Sequence, residues 1–310
     1  MHYLSIWSLS NHFKSKILPS IQSNKKIKIV SILTRKKNRD LKVKKVNWYK
    51  DKEKFFQNEK FDFVYISSIN SKHYSNVKFA LKNNKNVICE KPISLNKKQL
   101  KNIYKIAKKN KKKFFEVIQY TYHPLFIKLK KIISNKLIGK ILYVESSFKI
   151  PLNDKKNFRF KNKLGGGALY DVGFYPISIM FTLFNSKEIK ILKSEIIKKS
   201  NLDIMGNLSA KNENKIFFEL AWGFKSEYQN NIKIYGTEGT IKVDFIFSKK
   251  ILQSGQINIF KDKKKIIKVP KSNQINLAFN EMLIAKKNKF NQKLKISFQI
   301  LEIIEKLKKK

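Results

Sequence analysis

The chain has 310 residues, room for one large or two ordinary domains, and 42% of them are apolar, enough for packed cores. A formal net charge of +46 suggests polyanions, yet of 68 basic residues all but Arg35, Arg39 and Arg159 are lysines spread from end to end, whereas nucleic-acid readers favour the arginine fork; no specific nucleic-acid partner is expected. Cys89 alone allows no intrachain disulfide, no run approaches the ~18 apolar residues of a membrane span, and no basic, then apolar, leader opens the chain, so a cytoplasmic protein without membrane association is expected.

In chain order, residues 3–7 read as a strand, followed by the polar turn Ser8-Leu9-Ser10-Asn11-His12-Phe13 and a helix over 14–22. Strands follow at 27–33 and 61–67, a helix at 75–83, a short buried strand at 86–89, a helix at 97–109 with Leu100, Ile103, Ile106 and Ala107 at helical spacing, and a strand at 114–119. Strands alternating with helices of this length predict a doubly wound parallel sheet, a Rossmann-type domain over 1–120. Beyond it the pattern changes. A helix at 125–137 and a strand at 140–150 precede strand-like runs at 189–197, 201–210, 215–222, 231–235, 240–247 and 256–260, and helices at 277–288 and 296–308 close the chain. Strands in series predict an α+β domain over 121–310 with a large, mostly antiparallel open sheet.

Four segments carry the chemistry. Asn70-Ser71-Lys72-His73 follows the third strand and Glu90-Lys91-Pro92 the fourth, both at carboxyl ends of parallel strands, where open α/β sheets bind ligands. Tyr122-His123-Pro124 begins the second half, and Arg159 precedes Gly165-Gly-Gly-Ala-Leu-Tyr-Asp-Val-Gly-Phe-Tyr175. The chain has ten glycines, and four of them (Gly165, Gly166, Gly167, Gly173) fall within nine positions. Asp171 and Tyr175, four apart, share a helix face. That segment by itself fits either a ligand site or a tight turn into a buried helix, with Asp171 capping and Tyr175 in the core. His2, His12, His73 and His123 show no metal-ligand spacing, so no metal is expected.

Taken in order, these segments resemble the Gfo/Idh/MocA family of NAD(P)-dependent oxidoreductases, particularly its glucose–fructose oxidoreductase and dimeric dihydrodiol dehydrogenase branch. The resemblance rests on Glu90-Lys91-Pro92, on Glu116-Val-Ile-Gln-Tyr-Thr-Tyr-His-Pro124 and on Arg159 through Tyr175, and it covers nearly the whole chain. It implies a Rossmann domain followed by a domain whose open sheet supports the substrate site and often an oligomer interface, hence a dimer or tetramer. It further implies Lys91 as the catalytic cation, Tyr175 as proton donor in a position where many members place histidine, and Asp171 orienting the substrate or tuning Lys91, with Tyr122 beside the substrate. Ser67, Asn70, His73, Glu90 and Arg159 fall at family positions near the cofactor, and the Lys91–Pro92 peptide is implied to be cis.

The chain departs from the family where Gly-x-Gly-x-x-Gly should follow the first strand. Ser8 and Ser10 replace glycines, with Asn11 and His12 opening the helix and bulky Phe13 where close packing needs the smallest residue. The second strand ends Leu33-Thr34-Arg35-Lys36 with no acidic residue for a ribose 2′-hydroxyl; a hydroxyl and two cations suit a 2′-phosphate, so NADP is expected ahead of NAD. The leading expectation is an NADP(H)-dependent oxidoreductase interconverting alcohol and carbonyl on a sugar, sugar nucleotide or polyol. The rival is a non-enzymatic binding or scaffold descendant of the same fold that lost its dinucleotide with the glycines.

Overall fold

The computed structural model describes residues 1–35, 41, 43, 45–154 and 156–309. They fall into two compact units, Met1–Ile118 with Ile275–Phe298 and Gln119–Gln274 with Gln299–Lys310. In the first unit lie strands β1 (His2–Trp7), β2 (Ile27–Leu33), β3 (Asn47–Tyr49), β4 (Phe63–Ile66), β5 (Asn86–Glu90) and β6 (Phe114–Val117), with helices α1 (Leu18–Ile21), α2 (Lys52–Asn58), α3 (Asn70–Lys82) and α4 (Lys97–Lys109). The strands form one parallel sheet in the order β3-β2-β1-β4-β5-β6. The strand order reverses beside β1, between β2 and β4, which is the switch point where such sheets bind ligands beyond their carboxyl ends. Every residue of β4 and β6 is buried, as strands covered on both faces require.

This is the doubly wound sheet expected from the alternation, with two additions. β3 and α2 lie in a lysine-rich stretch to which the sequence pattern assigns no element. Locally, Asp51 caps α2 by accepting from the Lys54 N–H at 2.7 Å. Phe56 then packs with Trp7 and Phe79, ring centroids 5.2 to 5.9 Å apart, so three aromatics far apart in sequence hold the added helix.

The second unit holds α5 (Pro124–Ser134), α6 (Phe174–Thr182) and strands β7 (Ile141–Ile150), β8 (Ile189–Lys199), β9 (Leu202–Asn212), β10 (Phe217–Phe224), β11 (Gln229–Gly236), β12 (Gly239–Asp244), β13 (Gln253–Phe260) and β14 (Lys264–Ser272). They form one sheet in the order β14-β13-β12-β11-β7-β10-β9-β8. Only the β7–β10 pair is parallel, so the large, mostly antiparallel sheet is as expected. α6 is apolar all round and buried at each of its nine positions, as such a helix must be. β14 was not foreseen because its Lys-Lys-Ile-Ile-Lys-Val-Pro-Lys run mixes cations and proline into a strand; on a sheet edge those residues block further pairing.

The chain then returns to the first unit. α7 (Gln274–Ile284) and α8 (Lys287–Lys308) start earlier than their apolar spacing suggests. Phe279 packs on Tyr65 at 5.4 Å and Phe290 on Phe114 at 5.4 Å, while Lys113 donates to the Ala285 carbonyl at 2.6 Å. Among the described residues, no helix is long and apolar enough to cross a membrane.

Candidate active site

In the first unit the predicted residues gather at the carboxyl ends of β1, β2, β4 and β5. Ser8 takes a left-handed conformation (φ +79°), the one a glycine normally supplies at this turn. Hydrogen bonds hold it there: its N–H donates to the Leu33 carbonyl at 2.9 Å, and the Ser67 hydroxyl donates to its carbonyl at 2.8 Å. Ser10 caps the following helix, its hydroxyl oxygen accepting from the Phe13 N–H at 3.0 Å. Phe13 points into the core. It is fully buried against Tyr65 (5.8 Å) and begins a π-helical turn, Phe13–Ile17, so the helix register widens where a glycine would have allowed close approach.

Asn11 and His12 open that helix, and His12 Nε2 lies 3.8 Å from Glu90 Oε1, which also accepts from the Tyr65 hydroxyl at 2.7 Å. The turn after β1 thereby faces the end of β5. At the end of β2 the Thr34 N–H donates to the Tyr49 carbonyl at 2.9 Å, and Arg35 is exposed. Lys36 lies outside the described residues. Asn70 opens α3 and is buried. Both His73 nitrogens face backbone carbonyls, Nδ1 that of Pro92 and Nε2 that of Ser68, each at 2.8 Å, and the neutral ring has a single N–H to donate to one of them. Burial holds its pKa below the usual imidazole value. It thus clamps the loop after β5 from inside.

That loop carries Lys91, 9% exposed despite its charge, and the Lys91–Pro92 peptide is cis. Next to it in strand order, β6 presents Glu116, 6% exposed, whose Oε1 accepts from the Ile93 N–H at 2.8 Å and whose Oε2 accepts from the Ser297 hydroxyl at 2.6 Å. Burial raises the Glu116 carboxyl above its ordinary pKa; the hydrogen bonds from Ser297 and Ile93, then Lys91, oppose that rise. Glu116 stands in one of the family-like strings, whose pattern assigns it no role. An acid in the run Phe-Phe-Glu-Val of an otherwise apolar buried strand was the available signal.

The second unit holds the other predicted residues. Arg159 sits in a short 3-10 turn, and the glycine loop folds back on it: the Gly167 N–H donates to the Arg159 carbonyl at 2.9 Å. A Cβ at Gly166 would approach that same carbonyl oxygen to 2.5 Å, and Gly167 adopts φ +110°, so neither position tolerates a side chain. Asp203 from β9 caps the helix that follows, accepting from the Leu169 N–H at 2.5 Å. That helix opens with a π-helical turn, Leu169–Gly173, a feature frequent at functional sites.

Arg159 Nε donates to Asp171 Oδ2 at 2.5 Å, and Asp171 in turn raises the guanidinium pKa further. Two residues predicted for separate tasks thus form one ion pair. Tyr175 is 6% exposed, ringed by Phe148 (5.1 Å), Phe247 (5.7 Å) and Tyr120 (6.1 Å), and its hydroxyl accepts from Gln119 Nε2 at 3.4 Å. Tyr122 is buried on the 3-10 turn that begins at Gln119. His123 caps α5 through Nδ1, which accepts from the Leu125 N–H at 3.0 Å, and burial pushes its pKa down to about 4.

A family profile described as "Oxidoreductase family, NAD-binding Rossmann fold" matches residues 10–117, and one described as "GFO/IDH/MocA C-terminal domain" matches residues 126–242. Among curated proteins, a trans-1,2-dihydrobenzene-1,2-diol dehydrogenase from Xenopus laevis is 24% identical over 196 residues, 63% of this chain and 59% of that protein. A dTDP-3,4-didehydro-2,6-dideoxy-alpha-D-glucose 3-reductase from Actinomadura kijaniata is 25% identical over 189 residues, 60% of this chain and 57% of that protein. The matched stretch thus spans somewhat under 60% of these relatives' length. The crystal structure of KijD10, a 3-ketoreductase from Actinomadura kijaniata bound to NADP and TDP-benzene, superposes with a TM-score of 0.90 over 96% of this chain and 95% of that one. At 18% identity, this likeness is one of fold. With both of its domain patterns matched in order along the sequence, the chain belongs to the GFO/IDH/MocA oxidoreductase family.

Proposed function

We propose that this protein is an NADP(H)-dependent oxidoreductase that interconverts an alcohol and a carbonyl on a sugar, a sugar nucleotide or a related polyol. The observation that carries the proposal is the buried Lys91 at the end of β5, in the sheet whose β1 turn keeps its left-handed residue without a glycine. A buried ammonium just beyond the carboxyl end of a strand in a doubly wound sheet stands where such sheets bind their ligands.

The residues present fit a dinucleotide. Ser8 preserves the turn, and the helix capped by Ser10 offers its first N–H groups, through Asn11 and His12, to a diphosphate. Thr34 and Arg35, with Lys36, suit a 2′-phosphate, while Ser67, Asn70, Glu90 and Arg159 complete the cofactor-facing set. NADP(H), when bound, supplies or accepts the hydride. The protein's own part is charge and proton management. The Lys91 ammonium stabilises negative charge on the substrate oxygen. The Tyr175 hydroxyl gives that oxygen its proton during reduction and takes it back during oxidation, with Gln119 orienting the phenol and the surrounding rings excluding water. Asp171, held by Arg159, orients the substrate together with Tyr122.

Exchange of Lys91 for Ala or Tyr175 for Phe is expected to lower kcat for carbonyl reduction by at least ~100-fold, with the melting temperature preserved. Wild-type turnover in both variants would overturn the assignment. Self-association through the eight-stranded sheet belongs to the same proposal. Phe217, Tyr143 and Tyr235 stand in register across β10, β7 and β11, and Tyr143 and Tyr235 pack at 5.5 Å. A Tyr143→Glu, Phe217→Glu double variant should be monomeric by light scattering; an unchanged mass removes this sheet face from the interface.

A further inference from the structure

We propose that Glu116 is a positioning residue for Lys91, fixing the lysine loop by clamping, together with His73, the Pro92–Ile93 peptide that follows it. The inference rests on the catalytic reading of Lys91. A single peptide unit carries it: with its proton on Nδ1, His73 donates to the Pro92 carbonyl, and the Ile93 N–H donates to Glu116 Oε1, each at 2.8 Å. β5 ends at Glu90, so this peptide lies outside the strand ladder, and two side chains satisfy both of its polar groups. They are 1% and 6% exposed, so water offers little competition.

Glu116 is itself held at its other oxygen. Ser297, 4% exposed on α8, donates to Oε2 at 2.6 Å. Both carboxyl oxygens therefore accept, which suits the ionised form, although burial alone disfavours it. The groups facing the carboxylate are Lys91, Glu90, the buried Cys89 thiol and the Ser297 hydroxyl. Lys91 is the cation among them. Glu90 repels the carboxylate, and the Cys89 thiol, pushed well up by burial, stays neutral. An apolar residue would pack equally well in β6 but would leave the Ile93 N–H buried without a partner. Retaining a carboxylate there secures both the loop and the orientation of the ammonium.

The test separates the clamp from its charge and from the reading of Lys91 itself. In E116Q the amide oxygen still accepts from Ile93 and the amide N–H can donate to Ser297, so folding and the melting temperature should be retained. Two readouts are followed. The first is acylation of Lys91 by acetic anhydride, measured by peptide mass spectrometry against exposed Lys101, which needs no turnover. A rise of about threefold or more in the Lys91 rate is expected in E116Q and in E116A, with Lys101 unchanged. The second is kinetics: kcat falls about 10- to 100-fold while KM and NADPH affinity hold, and in a K91A background E116Q brings no further loss. An unchanged Lys91 acylation rate in both variants overturns the inference, as does a raised rate with wild-type kcat. Full activity of K91A would instead remove the catalytic reading, leaving the acylation rate to judge the clamp alone.

Discussion

The two glycine-type loops of this chain solve opposite problems. At Ser8 the requirement is conformational, a positive φ with room for a side chain, and two hydrogen bonds, from Ser8 to Leu33 and from Ser67 to Ser8, hold a non-glycine residue there. At Gly166 and Gly167 the requirement is also spatial, because a Cβ would run into the Arg159 carbonyl at one position and the Asp203 carboxylate at the other. A turn thus survives the loss of its glycine where φ alone, rather than space, called for it.

The largest effect expected from this contrast is at Gly166. Exchange for Ala should destabilise the protein by ~2–4 kcal/mol, since a backbone carbonyl cannot swing aside as a side chain can. Ser8→Ala, by contrast, should stay within ~1 kcal/mol, because it removes neither of the bonds that hold the turn. Urea unfolding of both variants measures the difference, and equal losses would break the contrast.

A smaller effect sharpens it at Asp203, which caps the helix after the glycine loop and whose carboxyl is raised by burial. A raised native pKa means that the folded state binds a proton more tightly than the unfolded chain. The resulting stability is present in acid and is lost as pH rises through the native pKa. D203N keeps the acceptor for Leu169 without the buried charge. Its stability relative to wild type should therefore be most favourable at neutral pH and decline as pH falls through the carboxyl range; a pH-independent difference would show that the charge is not the cause. The smallest effect is at Ser8→Gly, which relieves the left-handed residue by up to ~1 kcal/mol and should leave NADPH affinity equal or tighter. Weaker NADPH binding would show that the serine hydroxyl itself holds the cofactor.

Much of this architecture was legible in sequence because it is local. Four-residue apolar runs such as Phe63–Ile66 declare buried parallel strands, and Leu100, Ile103 and Ala107 declare a helix face. β3, α2 and β14 were not legible, since β3 is three residues long, lysines interrupt α2 and β14, and their order comes from distant partners or from a sheet edge. The same holds in the site. Lys91 and Tyr175 stand in recognisable strings, whereas the hydrogen bond from Ser297 to Glu116 joins residues 181 positions apart, and no local pattern encodes it. The pairing of Arg159 with Asp171 was hidden for a related reason: each residue fits a motif, but the turn that brings them together depends on Gly166 lying against a carbonyl.

The glycine-poor turn at Ser8 is proposed still to serve a dinucleotide. Titration of the purified protein with NADPH and NADH, followed by nicotinamide fluorescence, tests it most directly. The account predicts saturable NADPH binding, stronger than that of NADH and weakened about tenfold by Arg35→Ala, as expected for a charge-assisted contact to the 2′-phosphate. No saturable binding of either nucleotide would contradict it and would leave the chain a binding or scaffold protein on an oxidoreductase fold.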